Sequence, residues 1–95
     1  MEITVAHTDN GSKGAFYIEQ SEKRLAQMTY SVATSHLIII DHTEVDGSLR
    51  GTGAGKKLVE AAVAYARANQ IKILPLCPFA KAIFSKEKQL QDVLR

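Results

Sequence analysis

The sequence predicts a single α+β domain, a mixed α/β fold in which an antiparallel β-meander is joined to a β-α-β unit. Three observations predict it. Apolar and polar residues alternate through the first half of the chain, with the period of β-strands. Residues 55–69 instead carry apolar side chains at helical spacing. A glycine cluster connects the two regions, and a short apolar strand follows the helix, as in a β-α-β crossover. A chain of 95 residues has room for one core, so the predicted domain covers 1–95.

The first three strands are predicted from two-residue alternation. A strand around 3–5 precedes a turn cluster at 8–12 that contains Asn-Gly, and a second strand around 16–18 precedes a polar break at 20–24. On the third strand the apolar face carries Ala26, Met28, Tyr30 and Val32, and the polar face carries Gln27, Thr29 and Ser31. Strands this close in sequence are expected to pair as a meander.

The fourth strand is predicted at 36–45. Regular alternation places Leu37, Ile39, Asp41, Thr43 and Val45 on one face, and His36, Ile38, Ile40, His42 and Glu44 on the other. Residues 37–40 are apolar on both faces, which is typical of a central strand that is covered on both sides.

The second half reads as helix, strand, helix. The helix at 55–69 has high alanine content and a stop at Asn69. A short strand at 71–76 must end near its prolines, because proline donates no hydrogen bond to a sheet. A short helix at 79–86 begins beside Pro78. Residues 89–95 are either a further helical turn or a loose tail.

Composition excludes several classes of function. The net charge is +2, and aromatic residues make up 6% with no tryptophan, so neither a nucleic-acid surface nor a base-stacking platform is indicated. The single cysteine excludes a cysteine-rich zinc site, and no metal is expected. No apolar run is long enough to span a membrane, and the first residues lack the features of a signal peptide. A cytoplasmic protein is therefore expected.

Residues 50–57 form the most informative segment, because glycines alternate with other residues where a strand ends and a helix begins. Its residues are Arg50, Gly51, Thr52, Gly53, Ala54, Gly55, Lys56 and Lys57. Glycines let a ligand approach the backbone, and the free N–H groups of a helix start favour anions. The arginine and the lysines add positive charge. The segment predicts a phosphate site, although glycines chosen only for a tight turn are the simpler interpretation.

Two common phosphate loops do not fit this segment. A P-loop aligned on Gly55-Lys56 would have Arg50 in place of its first glycine and Lys57 in place of the metal-binding hydroxyl. The dinucleotide fingerprint would need a glycine where Lys56 stands, and an acidic residue near the end of the next strand, which has none.

The pattern that fits is Arg/Gln-x-x-Gly-x-Gly/Ala, met by Arg50, Gly53 and Gly55. It resembles the pyrophosphate loop of the GCN5-related N-acetyltransferase superfamily, and segments 41–45 and 75–81 resemble a branch of small stand-alone members. The resemblance implies an acyl-CoA N-acyltransferase-like sheet with two helices, and acetyl-CoA or coenzyme A as co-substrate. It implies cofactor contacts from Thr43, Val45, Arg50, Gly51, Thr52, Gly53, Ala54, Gly55 and Lys56.

The chain departs from larger members of that family in two ways. They carry N-terminal helices that help to form the acceptor site, whereas strand signals begin this sequence at once. They also place a proton-donating tyrosine in the last helix, where this sequence offers Phe79 and Phe84. Lys81 and Lys86 are candidates for the 3′-phosphate of the cofactor, or simply solvated lysines.

Three residues are predicted to be catalytic. The imidazole of His42 can act as a base, and Glu44 can orient it. Cys77 ends the fifth strand before a helix, which favours a thiolate, so it can be acylated, act as an acid or only fill space. Cys77 and His42 could form a nucleophile–base pair. Sheet histidines and strand-end carboxylates are the structural alternatives, and His7 and His36 are interpreted as surface residues.

The sequence therefore predicts an acyl-CoA-dependent N-acyltransferase whose amine acceptor is unknown. A CoA-binding module without turnover, acting as sensor or adaptor, is the first alternative, and a general anion-binding domain is the second. Small-molecule acyl-CoA is the expected partner, with no nucleic acid and no membrane. A homodimer is one expected assembly, because a chain this small with an uncovered site can pair with a second copy.

Overall fold

The computed structural model describes residues 3–95 and has one five-stranded mixed sheet. The strands lie in sequence order and are β1 (Ala6–Asp9), β2 (Lys13–Gln20), β3 (Lys23–Thr34), β4 (Leu37–Val45) and β5 (Lys72–Pro75). The first four are antiparallel neighbours, and β5 is parallel to β4. The predicted meander and β-α-β unit are both confirmed.

Two α-helices and two 3₁₀ segments complete the fold within residues 3–95. They are a 3₁₀ turn at Gly47–Leu49, helix α1 (Ala54–Asn69), helix α2 (Pro78–Lys86) and a C-terminal 3₁₀ segment at Lys88–Val93. Helix α1 packs against the sheet with a stripe of small and branched residues, which includes Leu58, Ala62 and Ala66. The alanines keep the helix close to the strands, and Gln70 ends the helix in the left-handed conformation.

The first hairpins differ from the prediction in detail. Strand β1 lies at Ala6–Asp9 rather than around 3–5, so part of the predicted turn is strand. Asn10 tightens the connection, since its side chain accepts from the backbone N–H groups of Ser12 and Lys13. Between β2 and β3, Ser21 and Glu22 both have positive φ angles, so two residues are enough to reverse the chain there.

The face assignment predicted for β4 is wrong beyond Ile40. Pairing with β3 is regular from Ile38 to Ile40, which lies opposite Tyr30, and it then jumps to Thr29 opposite His42, so Asp41 forms a β-bulge. An extra residue reverses the alternation that follows it. Consequently Thr43 and Val45 join Ile38 and Ile40 on the helix-covered face, whereas His42 and Glu44 lie on the opposite face and are exposed.

The covering of β4 also differs from the expectation of burial on both sides. Ile38 and Ile40 are buried, whereas Leu37 and Ile39 are only half-buried.

At the other end of the chain, the predicted alternative of a loose tail is wrong. The C-terminal 3₁₀ segment is held to α1 because Arg67 donates two hydrogen bonds to Asp92, and Leu94 forms a bridge to Ile73 of β5.

Candidate functional site

The connection from β4 to α1 is built around short local hydrogen bonds. The Asp46 carboxylate accepts from the N–H of Ser48 and starts the 3₁₀ turn, and Thr52 donates its hydroxyl to the carbonyl of Leu49. Gly51 and Gly53 then take φ angles of +81° and +78°. A β-carbon on either glycine would meet nothing within 4 Å, so conformation rather than crowding requires glycine here.

The start of α1 presents unpaired backbone donors. Its first intrahelical hydrogen bond runs from the N–H of Lys57 to the carbonyl of Gly53. The N–H groups of residues 54–56 precede that bond, so no helical carbonyl lies one turn before them. Gly53, at the N-cap, supplies no side chain to cap them. Together with the helix dipole, these donors make the start of α1 suitable for an anion.

An open groove of about 560 Å³ lies against this helix start and is called the α1 groove here. It is lined by Val45, Asp46, Leu49, Arg50, Gly51, Gly53, Ala54, Gly55, Lys56, Phe79 and Ile83. Most of the residues predicted to contact a cofactor are among them. Thr52 and Thr43 are not, because the Thr52 hydroxyl bonds back to Leu49 and Thr43 lies at another point of β4.

Sequence reasoning missed the apolar wall of the α1 groove. Phe79 and Ile83 lie one turn apart on α2, and Phe79 is 41% exposed although it is large and apolar. The ring of Phe79 packs on Gly55 so closely that a β-carbon added there would clash with its Cζ atom. Gly55 is therefore required for space. The signal that could have found this wall is the i, i+4 spacing of Phe79 and Ile83 in a short helix.

The lysines beside the groove are not equivalent. Lys56 makes an ion pair with Glu87, with 2.5 Å between Nζ and Oε1, and a hydrogen bond to this carboxylate raises the pKa of Lys56. Lys57 is exposed and lies outside the groove. Lys81 borders a different depression, and Lys86 is exposed at the end of α2, so neither lines the α1 groove.

The pairing of β4 with β5 ends next to the groove. Their last register pair is Ile40 with Pro75, and the N–H of Leu76 then donates to the carbonyl of Ile40. Beyond this point β4 continues to Val45 without a partner in β5, and Cys77 lies beside it at the start of α2. The Cys77 thiol lies 3.4 Å from the Thr43 hydroxyl and donates to it. We call the end of β4 beyond Ile40, together with Cys77, the β4–β5 wedge.

The surroundings of Cys77 favour its thiolate. The residue is buried, and burial by itself raises the pKa of the thiol. Hydrogen bonding by the Thr43 hydroxyl and by the N–H groups of Ala80 and Phe79 outweighs burial, so the pKa of Cys77 is lowered overall. The neutral thiol makes no side-chain capping hydrogen bond, so these N–H groups act on the charged form.

His42 and Glu44 form a pair of their own. The His42 Nε2 and Glu44 Oε1 atoms are 3.0 Å apart, and both side chains are more than half exposed. They lie on the sheet face opposite to Thr43. The structure thus brings His42 to Glu44 and Cys77 to Thr43, and the polar contact it gives Cys77 is with Thr43 rather than with His42.

A second recess lies beside Glu44, at the ends of β3 and β4. It has a volume of about 310 Å³ and is lined by Arg24, Leu25, Ala26, Gln27, Glu44, Val45 and Asp46. Val45 and Asp46 also line the α1 groove, so the two depressions are neighbours.

Within residues 3–95 no cluster of His, Cys, Asp and Glu side chains could hold a metal ion. No helix of this part of the chain is long and apolar enough to cross a membrane.

A family model described as GCN5-related N-acetyl-transferase matches residues 15–93. Among solved structures, the chain is similar to a GCN5-like candidate N-acetyltransferase from Staphylococcus aureus, determined in solution by NMR. The two sequences are 41% identical, and the TM-score is 0.73 over 95% of this chain and 87% of that one. No curated protein matches the chain significantly.

More distant structures share the fold. The ribosomal-protein-alanine N-acetyltransferase from Brucella melitensis biovar Abortus 2308 gives a TM-score of 0.67 at 15% identity, over 81% of this chain and 62% of that one. The aminoglycoside N-acetyltransferase AAC(6')-Iy in complex with CoA gives 0.57 at 13% identity, over 90% and 73%. At these identities the likeness is one of architecture.

Proposed function

Because this chain belongs to the GCN5-related N-acetyltransferase family, we propose that it transfers an acyl group, acetyl foremost, from acyl-CoA to an amine. The observation that carries this proposal is the α1 groove, in which an uncapped helix start and an apolar wall lie side by side. The helix start suits a pyrophosphate, and the wall suits the less polar arm that follows it in coenzyme A.

In this proposal the pyrophosphate of acyl-CoA accepts hydrogen bonds from the N–H groups at 53–56, with Arg50 beside it. The arm runs past Val45 and Phe79 toward the β4–β5 wedge, where the end of β5 leaves backbone groups of β4 without a neighbour in that strand. The thioester then lies between Cys77 on one side and the His42–Glu44 pair on the other.

The lowered pKa of Cys77 supports a role as nucleophile. Its thiolate attacks the thioester carbonyl, the bond from the acyl carbon to the CoA sulfur breaks, and CoA leaves as a thiolate that takes up a proton. An acyl-cysteine remains. The acceptor amine enters from the recess beside Glu44, loses a proton to His42, and attacks the acyl carbon. An amide forms, and the Cys77 thiolate is released.

Binding is tested by thermal unfolding with acetyl-CoA, coenzyme A or inorganic pyrophosphate. A ligand at 100 times its dissociation constant stabilises a protein by about 2.7 kcal/mol, which corresponds to about 10 °C or more for a domain of this size. We expect this shift with both CoA ligands and a much smaller one with pyrophosphate. An equal shift with pyrophosphate would indicate a general anion site, and no shift would refute the proposal.

Turnover is tested by intact-mass spectrometry after incubation with acetyl-CoA. The wild type should gain the mass of one acetyl group at Cys77, and Cys77→Ala should gain none while still binding CoA. His42→Ala should retain the acyl-cysteine and lose its release to an added amine. A protein that binds acetyl-CoA and neither accepts nor passes on the group would be a binding module without turnover.

A further inference from the structure

The groove lysine already has an anionic partner. Lys56 lines the α1 groove, and its Nζ atom lies 2.5 Å from Glu87 Oε1. The pair joins the first turn of α1 to the junction between α2 and the C-terminal 3₁₀ segment. Other charges nearby are those of Glu60, which adds to the raised pKa of Lys56, and Lys86, which contributes to the lowered pKa of Glu87. A phosphate group that binds Lys56 must therefore compete with the carboxylate of Glu87.

The two partners differ in how firmly they are held. The N–H of Glu87 donates to the carbonyl of Ile83 at 2.9 Å, and its own carbonyl accepts from the N–H of Leu90 at 3.0 Å, so its backbone is fixed on both sides. Its side chain is 23% exposed. The Lys56 side chain is 47% exposed and has a long flexible stem. When a second anion arrives, the lysine can turn toward it while the carboxylate stays.

Resting on the function proposed above, we propose that Glu87 competes with the phosphates of acyl-CoA for Lys56 and thereby sets the affinity of the α1 groove. Bound phosphate takes the ammonium group and leaves Glu87 as an anion beside another anion. The wild-type groove consequently binds CoA more weakly, and releases it faster, than its donors alone would allow. Glu87 is a positioning residue in this scheme, because it acts through Lys56.

The strength of the ion pair fits such an exchange. Pairs between partly exposed side chains contribute little to folding, since water screens them and both side chains lose freedom. Each phosphate group in the pyrophosphate of coenzyme A carries a negative charge, so the pyrophosphate offers the lysine more charge than one carboxylate does. Breaking the Lys56–Glu87 pair therefore costs little free energy. The Glu87 carboxylate, now without its partner, stays close to the bound ligand and opposes its binding.

The test is isothermal titration calorimetry of Glu87→Gln with coenzyme A and, separately, with pantetheine, which has no phosphate. Glutamine retains the size of the side chain and removes its charge. We expect coenzyme A to bind the variant tighter by on the order of fivefold, within the range of an exposed ion pair. Pantetheine should bind both proteins equally. Lys56→Gln should weaken the binding of coenzyme A.

The chain offers matched controls. Asp92 pairs with Arg67 at 2.6 Å and likewise ties α1 to the C-terminal 3₁₀ segment, away from the groove. Asp92→Asn should leave the affinity for coenzyme A unchanged. Lys57→Gln removes the same charge as Lys56→Gln from a position outside the groove, so it should have a smaller effect.

The inference is overturned if Glu87→Gln binds coenzyme A no more tightly than the wild type, or if it tightens pantetheine equally. Weaker binding by the variant would mean that Glu87 holds Lys56 ready for the ligand, which is the opposite role. Absence of coenzyme A binding by the wild type would instead refute the proposed function.

Discussion

At the scale of single residues, the chemistry proposed here depends on the state of one thiol. Cys77 is buried, which opposes ionisation, yet Thr43 and the first N–H groups of α2 lower its pKa. The hydroxyl of Thr43 accepts from the thiol and can rotate to donate to the thiolate. Cys77 should therefore react at a lower pH than an ordinary cysteine.

This expectation is checked by the rate of alkylation of Cys77 with iodoacetamide as a function of pH. Only the thiolate reacts, so the rate rises through the pKa of the thiol. The midpoint pH of alkylation should be lower for the folded wild type than for the same protein in denaturant. Thr43→Val removes one stabilising group and should move the midpoint to higher pH, whereas Thr29→Val, on the opposite face, should not. A wild-type midpoint at or above the denatured value would contradict the assignment.

Gly55 and Phe79 make a second prediction at this scale. Gly55→Ala forces a methyl group into the ring of Phe79, and overpacking of this kind costs about 1–3 kcal/mol in the free energy of unfolding. The double variant with Gly55→Ala and Phe79→Ala should lose less free energy of unfolding than the sum of the two single losses, because Phe79→Ala removes the clash. Urea denaturation measures all three variants.

Gly53→Ala is the matched control for that experiment. Its cost comes from a φ of +78° rather than from contact, so Phe79→Ala should not relieve it. Additive free energies for Gly55 and Phe79 would contradict the packing described here.

Residue chemistry was predictable from the sequence where it depended on local spacing. His42 and Glu44 are two apart on a strand, so regular alternation predicts them on one face, and the structure pairs them. A nucleophile–base pair of Cys77 and His42 depends on how two strands lie relative to each other, and in the structure the Cys77 thiol contacts Thr43 instead. From the sequence, Phe79 is only a replacement for a tyrosine, because spacing alone does not reveal that its ring packs on a glycine.

At the scale of elements, the bulge at Asp41 organises the site. It turns Thr43 toward Cys77 and His42 toward the open face, and it lies where the pairing of β4 with β5 ends. In a sequence, a bulge shows as a shift of the apolar positions between even-numbered and odd-numbered residues. Here the buried face carries Ile38 and Ile40 before the bulge and Val45 after it. Residues 37–40 are apolar on both faces, which hides that change, so regular alternation gave the wrong faces.

Deleting Asp41 tests this interpretation. Thr29 already pairs with His42, so removing the extra residue makes the ladder regular at this point and leaves the later side chains on their present faces. We expect a folded protein in which the β4–β5 wedge is narrower, acetyl-CoA binds more weakly, and Cys77 is no longer acylated. Asp41→Ala, which retains the bulge, should bind acetyl-CoA like the wild type. Unchanged acylation in the deletion variant would show that the bulge is not needed.

At the scale of the whole molecule, the carboxyl ends of β4 and β5 and the N-termini of both helices meet at one end of the sheet. The order of strands and helices, and the position of the glycine turn, were predictable because alternation and helical spacing are local signals. The apolar wall from α2 and the docked C-terminal segment were not, because each depends on contacts between residues distant in sequence. The site is thus a property of the assembled fold.

The most direct test of the central claim, that acyl-CoA binds in the α1 groove with its thioester in the wedge, is an NMR titration of the ¹⁵N-labelled protein with acetyl-CoA. We predict that the largest changes in amide chemical shift occur at 51–56, with a second group at Thr43 and Cys77. Saturable shifts confined to other surfaces, or no shifts at all, would contradict the account.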